Sequence, residues 1–146
     1  MVAHPDNEPI LSYAQGSPER SMLKAELERQ LGEVVEIPCI IGGKEVRTGN
    51  IVKQVVPHNH GHVLAEVHIA GEKEIADACD AAVSAQREWI EMGLEARCEI
   101  FERCADLLAG PWRMKSNAST MLNQSKTAYQ AEIDVACELI DFWRFN

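Results

Sequence analysis

At 146 residues, 46% hydrophobic and 25% charged, the chain has the size and composition of one globular domain with a real core. Its 14 basic and 23 acidic residues give a net charge of −9, which excludes the basic footprint that nucleic acid or an anionic membrane requires. No apolar run approaches the roughly 20 residues needed to span a bilayer, and Met1-Val-Ala-His-Pro-Asp has neither a secretory signal pattern nor an Arg-rich transit helix.

In chain order, residues 1–20 read as an extended arm, because Pro9 and Pro18 remove backbone donors and bias their predecessors away from helix. Ser17 as N-cap, Pro18 at the first helical position and Leu23, Leu27 and Leu31 predict a helix over 18–31, ended by Gly32. Val34 to Ile41, Gly42-Gly43 and Lys44 to Arg47 form a hairpin signal with a two-residue turn. Two more strands follow from Ile51 and from Val63, with Pro57 to His62 as a turn between them. Residues 34–69 thus predict a small antiparallel layer, marginal by itself.

From Glu72 the apolar period changes from 2 to 3.6. Ile75, Cys79, Ala82, Val83, Trp89 and Ile90 share one face of a helix over 72–91, broken at Gly93. Leu94, Ile100, Phe101, Cys104, Leu107 and Leu108 line a second helix, closed by Gly110-Pro111. A third carries Met114, Ala118, Met121 and Leu122. Thr127 and Gln130 then form a capping box for a last helix, whose buried stripe is Ile133, Ala136, Cys137, Ile140 and Trp143. The fold class is an α+β fragment: arm, small strand layer, then helices. It divides into 1–33 (arm and short helix), 34–70 (strand layer) and 71–146 (helices).

Few residues suggest chemistry directly. His58, His60 and His62, with His68 beyond, have spacing that could ligate zinc, yet no cysteine pair sits nearby and a turn does not aim three imidazoles inward. They read as a surface turn, and no metal site is assigned. The cysteines at 39, 79, 98, 104 and 137 are odd in number. Those at 79, 98, 104 and 137 sit among apolar residues at helical spacing, which indicates packing in a reducing compartment rather than nucleophiles or disulfides. Gln124-Ser-Lys-Thr lacks the glycines of a phosphate loop. Asp134, Glu138 and Asp141 fall on one helix face, as a solvated acidic surface would. Glu132 stands apart near the helix start, where the macrodipole favours an acid.

Several segments together carry a family resemblance. Asn7-Glu-Pro-Ile-Leu, Gln15-Gly-Ser-Pro-Glu-Arg20, Ile37-Pro-Cys-Ile-Ile-Gly42, Pro57-His-Asn-His-Gly-His62, Gln130-Ala-Glu-Ile-Asp134 and Glu138-Leu-Ile-Asp-Phe-Trp-Arg-Phe-Asn146 resemble, in order, the amino-terminal part of the Δ1-pyrroline-5-carboxylate dehydrogenases. These are the L-glutamate γ-semialdehyde dehydrogenases of the aldehyde dehydrogenase superfamily. The family usually has glycine where Ser125 stands.

The resemblance implies an NAD-dependent oxidation of glutamate semialdehyde to glutamate, the second step of proline breakdown. A cysteine thiolate attacks the aldehyde, an asparagine holds the oxyanion, and a glutamate activates water. All of these, and the NAD-binding sheet, would lie downstream of Asn146, so no catalytic, cofactor-binding or metal residue is assigned here. Residues 71–146 would be helices of the amino-terminal part of the cofactor domain, in the α/β aldehyde dehydrogenase fold. Glu132 matches the family's glutamate in Gln-Ala-Glu-Ile-Asp and would meet the substrate's ammonium group. This chain alone would be inactive. The complete enzyme would be a homo-oligomer in the mitochondrial matrix, with the cytoplasm as the alternative. The competing reading is a self-standing acidic α+β interaction module.

Overall fold

The computed structural model describes residues 5–146, so the first residues of the predicted arm, 1–4, lie outside the described part. From Pro5 the arm runs without regular structure to Tyr13 and a turn. Helix α1 (Pro18–Leu31) begins where its local chemistry places it: Ser17 Oγ accepts the Arg20 amide at 3.3 Å, with Pro18 at the first position. Leu23 is buried, Leu27 is half-buried and Leu31 faces solvent.

The strand layer differs from expectation in one pairing. Pro38 has no amide to continue a ladder, and it divides the run from Val34 to Ile41 into β1 (Val35–Ile37) and β2 (Cys39–Ile41), which join different sheets. β2 pairs with β3 (Lys44–Val46), Ile41 opposite Lys44, across Gly42 and Gly43 at φ 56° and 75°. Both turn residues need positive φ, hence two glycines. β4 (Ile51–Val56) and β5 (Asn59–His68) form the main antiparallel pair. β1, however, lies parallel to β5, Val35 beside Ala65. The predicted turn over Pro57 to His62 is shorter than expected: only Pro57 and His58 turn, and β5 already begins at Asn59.

Helix α2 (Glu72–Glu91) has the predicted span, but none of its residues is buried. Ile75 is 58% exposed, Val83 71% and Ile90 63%. Its apolar stripe is real in sequence and uncovered in this chain. Gly93, at φ 81°, breaks the chain before α3 (Leu94–Ala109). After Gly110 and Pro111, α4 (Arg113–Gln124) packs on α1.

Ser125 is left-handed at φ 56° and hydrogen-bonds His58 Nδ1 through its hydroxyl at 2.8 Å. That conformation costs an L-residue about 1–2 kcal/mol, so glycine is the low-strain choice and serine needs the compensating bond. Thr127 and Gln130 form both bonds of the capping box, at 3.3 and 3.0 Å. The helix they start runs as α5 (Ala128–Ala131), a π-helical segment (Glu132–Cys137) and α6 (Glu138–Phe145).

Burial is concentrated in three patches. Ala105 and Leu108 of α3 meet Ala136 and Ile140 of the last helix. Tyr13, Leu23 and Ala118 join arm, α1 and α4. Val56, Leu64 and Leu122 join the sheet to α4, and Leu27 bridges the last two patches. Ile140 is fully buried, so Ile140→Ala is expected to cost about 2–5 kcal/mol in urea unfolding. Val83→Ala, on the uncovered α2 face, should stay within about 0.5 kcal/mol. Equal losses at the two positions would contradict this placement of the core.

Candidate functional site

The densest buried polar cluster forms where the arm crosses α4 and the last helix. Its centre is Glu132, fully buried one turn after the Thr127 cap. Glu132 Oε1 accepts the Leu11 amide at 2.8 Å and pairs with Arg113 Nη2. Its Oε2 accepts the Tyr13 hydroxyl at 2.6 Å and Asn117 Nδ2 at 2.8 Å. Arg113 also pairs with Glu8 through Nη1 and donates to the Pro9 carbonyl at 2.7 Å. The second Glu8 oxygen takes Arg144 Nη1 at 2.7 Å. Two carboxylates thus meet two guanidinium groups, and every oxygen of Glu132 and Glu8 has a donor. Buried ion pairs need this degree of satisfaction to offset desolvation. Asn117 spends its amide nitrogen on Glu132 and Tyr13 and leaves its Oδ1 buried without a partner among the described residues.

Protonation follows from these partners. Burial alone would raise the Glu132 carboxyl, but the bonds from Arg113, Tyr13 and the Leu11 amide outweigh it and hold the group below the ordinary 4.5. Burial, and then the facing Glu132 carboxylate, raise the Tyr13 phenol, which keeps it a donor. Burial opposes the Arg113 charge, yet its bonds to Glu132 and Glu8 leave its pKa raised. Cys137 is pushed up to about 11 by burial and then by Glu132, which favours the neutral thiol over the nucleophilic thiolate.

The other sequence candidates do not converge here. Asp141 leaves the expected acidic surface: it accepts the Glu8 amide at 2.8 Å and Asn7 Nδ2 at 2.7 Å. Asp134 stays outside, paired with Lys126 at 2.7 Å, and Glu138 is exposed. His68 is buried with Nδ1 accepting the Gly49 amide at 3.1 Å, so its proton sits on Nε2, toward Glu36 at 3.0 Å. His60 and His62 lie along β5, and among the described residues no three His, Cys, Asp or Glu side chains gather as a metal would require. Among the described residues no strand leads through a glycine-rich turn into a helix.

Reasoning from sequence singled out Glu132 but not its partners Tyr13, Arg113 and Asn117, which lie 119, 19 and 15 residues away. One signal was present. Arg113 opens a helix, where the macrodipole disfavours a cation unless a carboxylate meets it.

Arg113→Ala strands a buried carboxylate and is expected to cost about 3–5 kcal/mol by urea denaturation. Because folded Glu132 titrates below its unfolded value of 4.5, it binds fewer protons than in the unfolded chain. Its contribution is therefore complete above the carboxylate range and lost as pH falls through its folded pKa. Glu132→Gln should flatten the acid limb of the stability profile; an unchanged limb would contradict this assignment.

The geometry can be set beside known proteins. The family model described as "Aldehyde dehydrogenase family" matches residues 45–146. The human "Delta-1-pyrroline-5-carboxylate dehydrogenase, mitochondrial" is 46% identical over 140 residues, which is 96% of this chain and 25% of that protein. The Agaricus bisporus enzyme is 47% identical, over 96% of this chain and 26% of its own length. A crystal structure of the Mycobacterium tuberculosis Delta-pyrroline-5-carboxylate dehydrogenase, bound with NAD and cobalamin, superposes with a TM-score of 0.96 at 46% identity, covering 99% of this chain and 27% of that one. The chain thus spans about a quarter of the length of the curated relatives it matches. With more than half of its residues under the family model, the chain belongs to the aldehyde dehydrogenase family.

Proposed function

We propose that this chain is the amino-terminal part of an NAD-dependent dehydrogenase that oxidises L-glutamate γ-semialdehyde to L-glutamate in proline catabolism. The observation that carries the reading is the 46% identity to enzymes of that name over 96% of the chain. The likeness extends beyond the family model's residues 45–146 into the arm and α1, since structural matches cover 99% of the chain. It therefore favours this group within the larger family. NAD as cofactor is supported by the relatives' structures bound with NAD, and a mitochondrial compartment by the relatives' names. Homo-oligomeric assembly rests on the resemblance alone.

The uncovered apolar faces support a chain that shares its core with further polypeptide. Trp89, Phe101 and Phe145 are all exposed, as are Ile75, Val83 and Ile90. A module enclosed by its own core would bury such residues, whereas contiguous exposed apolar faces mark a surface that other polypeptide covers. Trp143, placed by sequence in the apolar stripe of the last helix, is half-buried against the α3 patch.

For Glu132 we propose a place in the wall of the substrate site. Its carboxylate already accepts from four groups, so direct contact with a substrate ammonium would require displacing one of them. Glu132 would instead shape the site by holding the arm, through the Leu11 amide and the Tyr13 hydroxyl, against α4. The test uses the polypeptide carried through to the relatives' full length, assayed for NAD reduction with the semialdehyde and with short aliphatic aldehydes. Turnover specific to the semialdehyde is expected, and none from residues 1–146 alone; preference for an unrelated aldehyde would overturn the proposal. Glu132→Gln should lower the melting temperature with a modest change in KM. A KM increase of more than about tenfold at unchanged melting temperature, a loss of over 1.4 kcal/mol in binding, would instead restore direct contact.

A further inference from the structure

We propose that the π-helical segment Glu132–Cys137 is a register device that lets one helix hold the arm through Glu132 and Asp141 and pack Ile140 and Trp143 on α3 at the same time. The segment is defined by the Glu138 amide reaching back five residues to the Ile133 carbonyl. Short π segments inside α-helices concentrate at functional sites, because they interrupt a favourable ladder and persist only when something else holds them.

Helical geometry shows what holds this one. Asp141 follows Glu132 by nine residues, which in an unbroken α-helix is roughly 900° of rotation, placing the two on opposite faces. A π turn absorbs one residue without advancing the rotation, so the pair sits as if eight apart, at roughly 800°, or about 80° beyond two whole turns. Both carboxylates consequently reach the arm: Glu132 takes the Leu11 amide and Tyr13 hydroxyl, and Asp141 takes the Glu8 amide and Asn7 side chain. Cys137, between them, comes to 3.8 Å from the Pro9 carbonyl.

The downstream half of the helix is anchored elsewhere. Ile140 packs on Ala105 and Leu108, with Trp143 against the same patch. With Glu132 held on the arm, a regular α-helix would turn Trp143 about 100° out of this place. With Ile140 held on α3, the same helix would swing Glu132 away from the arm. The π register satisfies both anchors at once. Tyr13 adds to the hold on the arm, since its backbone sits at φ 51°, a left-handed conformation that the bond to Glu132 helps maintain.

The test uses the 146-residue chain with Trp89 and Trp112 replaced by phenylalanine, so that emission reports Trp143. Deleting exposed Asp134 removes the extra residue and leaves a regular helix with both anchors aligned. The Leu11 and Glu8 amides should keep their protection from hydrogen exchange, and Trp143 emission should be unchanged. Inserting one alanine after Asp134 should expose both amides. A deletion variant that loses amide protection, or fails to fold, would overturn the proposal. Removing residues 1–12 provides the second arm of the test. It should convert the Ile133-to-Glu138 bond to the regular α pattern in amide NMR, while Trp143, still anchored with Ile140 on α3, keeps its emission. Retention of the π pattern in that chain would overturn the proposal. Neither readout depends on dehydrogenase activity.

Discussion

The structure depends on one buried carboxylate. Glu132 lies at the crossing of arm, α4 and the last helix, and its oxygens accept from a backbone amide, a phenol, an amide side chain and a guanidinium. An isolated carboxylate there would carry a desolvation penalty of several kcal/mol. What offsets it is convergence: Arg113 supplies the charge, and the arm supplies donors that the folded body lacks. The arm would otherwise be a segment with unsatisfied amides and little apolar area. It becomes part of the fold because Glu132 and Asp141 need what it carries.

This interaction explains why a segment without regular structure is fixed. Glu8, Pro9, Leu11 and Tyr13 each meet Arg113 or Glu132. Tyr13 also belongs to the apolar patch with Leu23 and Ala118, so the polar clasp and the hydrophobic contact share a residue. The body beneath is less complete. The last helix and α4 are well packed, whereas α2 contributes no buried residue. The edge-to-face pair of Trp89 and Phe101, 6.2 Å between centroids, joins α2 to α3 without enclosing either.

Local chemistry was legible in the sequence. The Ser17–Pro18 start, the Gly42-Gly43 turn, the Gly93 break and the Thr127–Gln130 box each depend on residues within a few positions, and each is present. Features depending on distant partners were not. The parallel pairing of β1 with β5 follows from where Pro38 cuts a run of β-branched residues, and pattern alone does not say which strand receives the freed piece. The acidic surface of Asp134, Glu138 and Asp141 assumed a constant period, and the π segment breaks it by turning Asp141 to the arm. Glu132 was marked only because it stood apart from the other acids and matched a family motif. Its partners are assembled by the tertiary fold. The α2 stripe was read correctly as apolar, but periodicity cannot say whether the surface that covers it lies in the same chain.

The most direct measurement is a double-mutant cycle on Arg113 and Glu132, each replaced by methionine, with unfolding free energies from urea denaturation. If the buried pair organises the arm, each single change strands a charge, and the double change should be less destabilising than the sum by about 2–3 kcal/mol. Additivity within about 0.5 kcal/mol would mean that the two side chains act independently, and the account of the arm as held by Glu132 would fail.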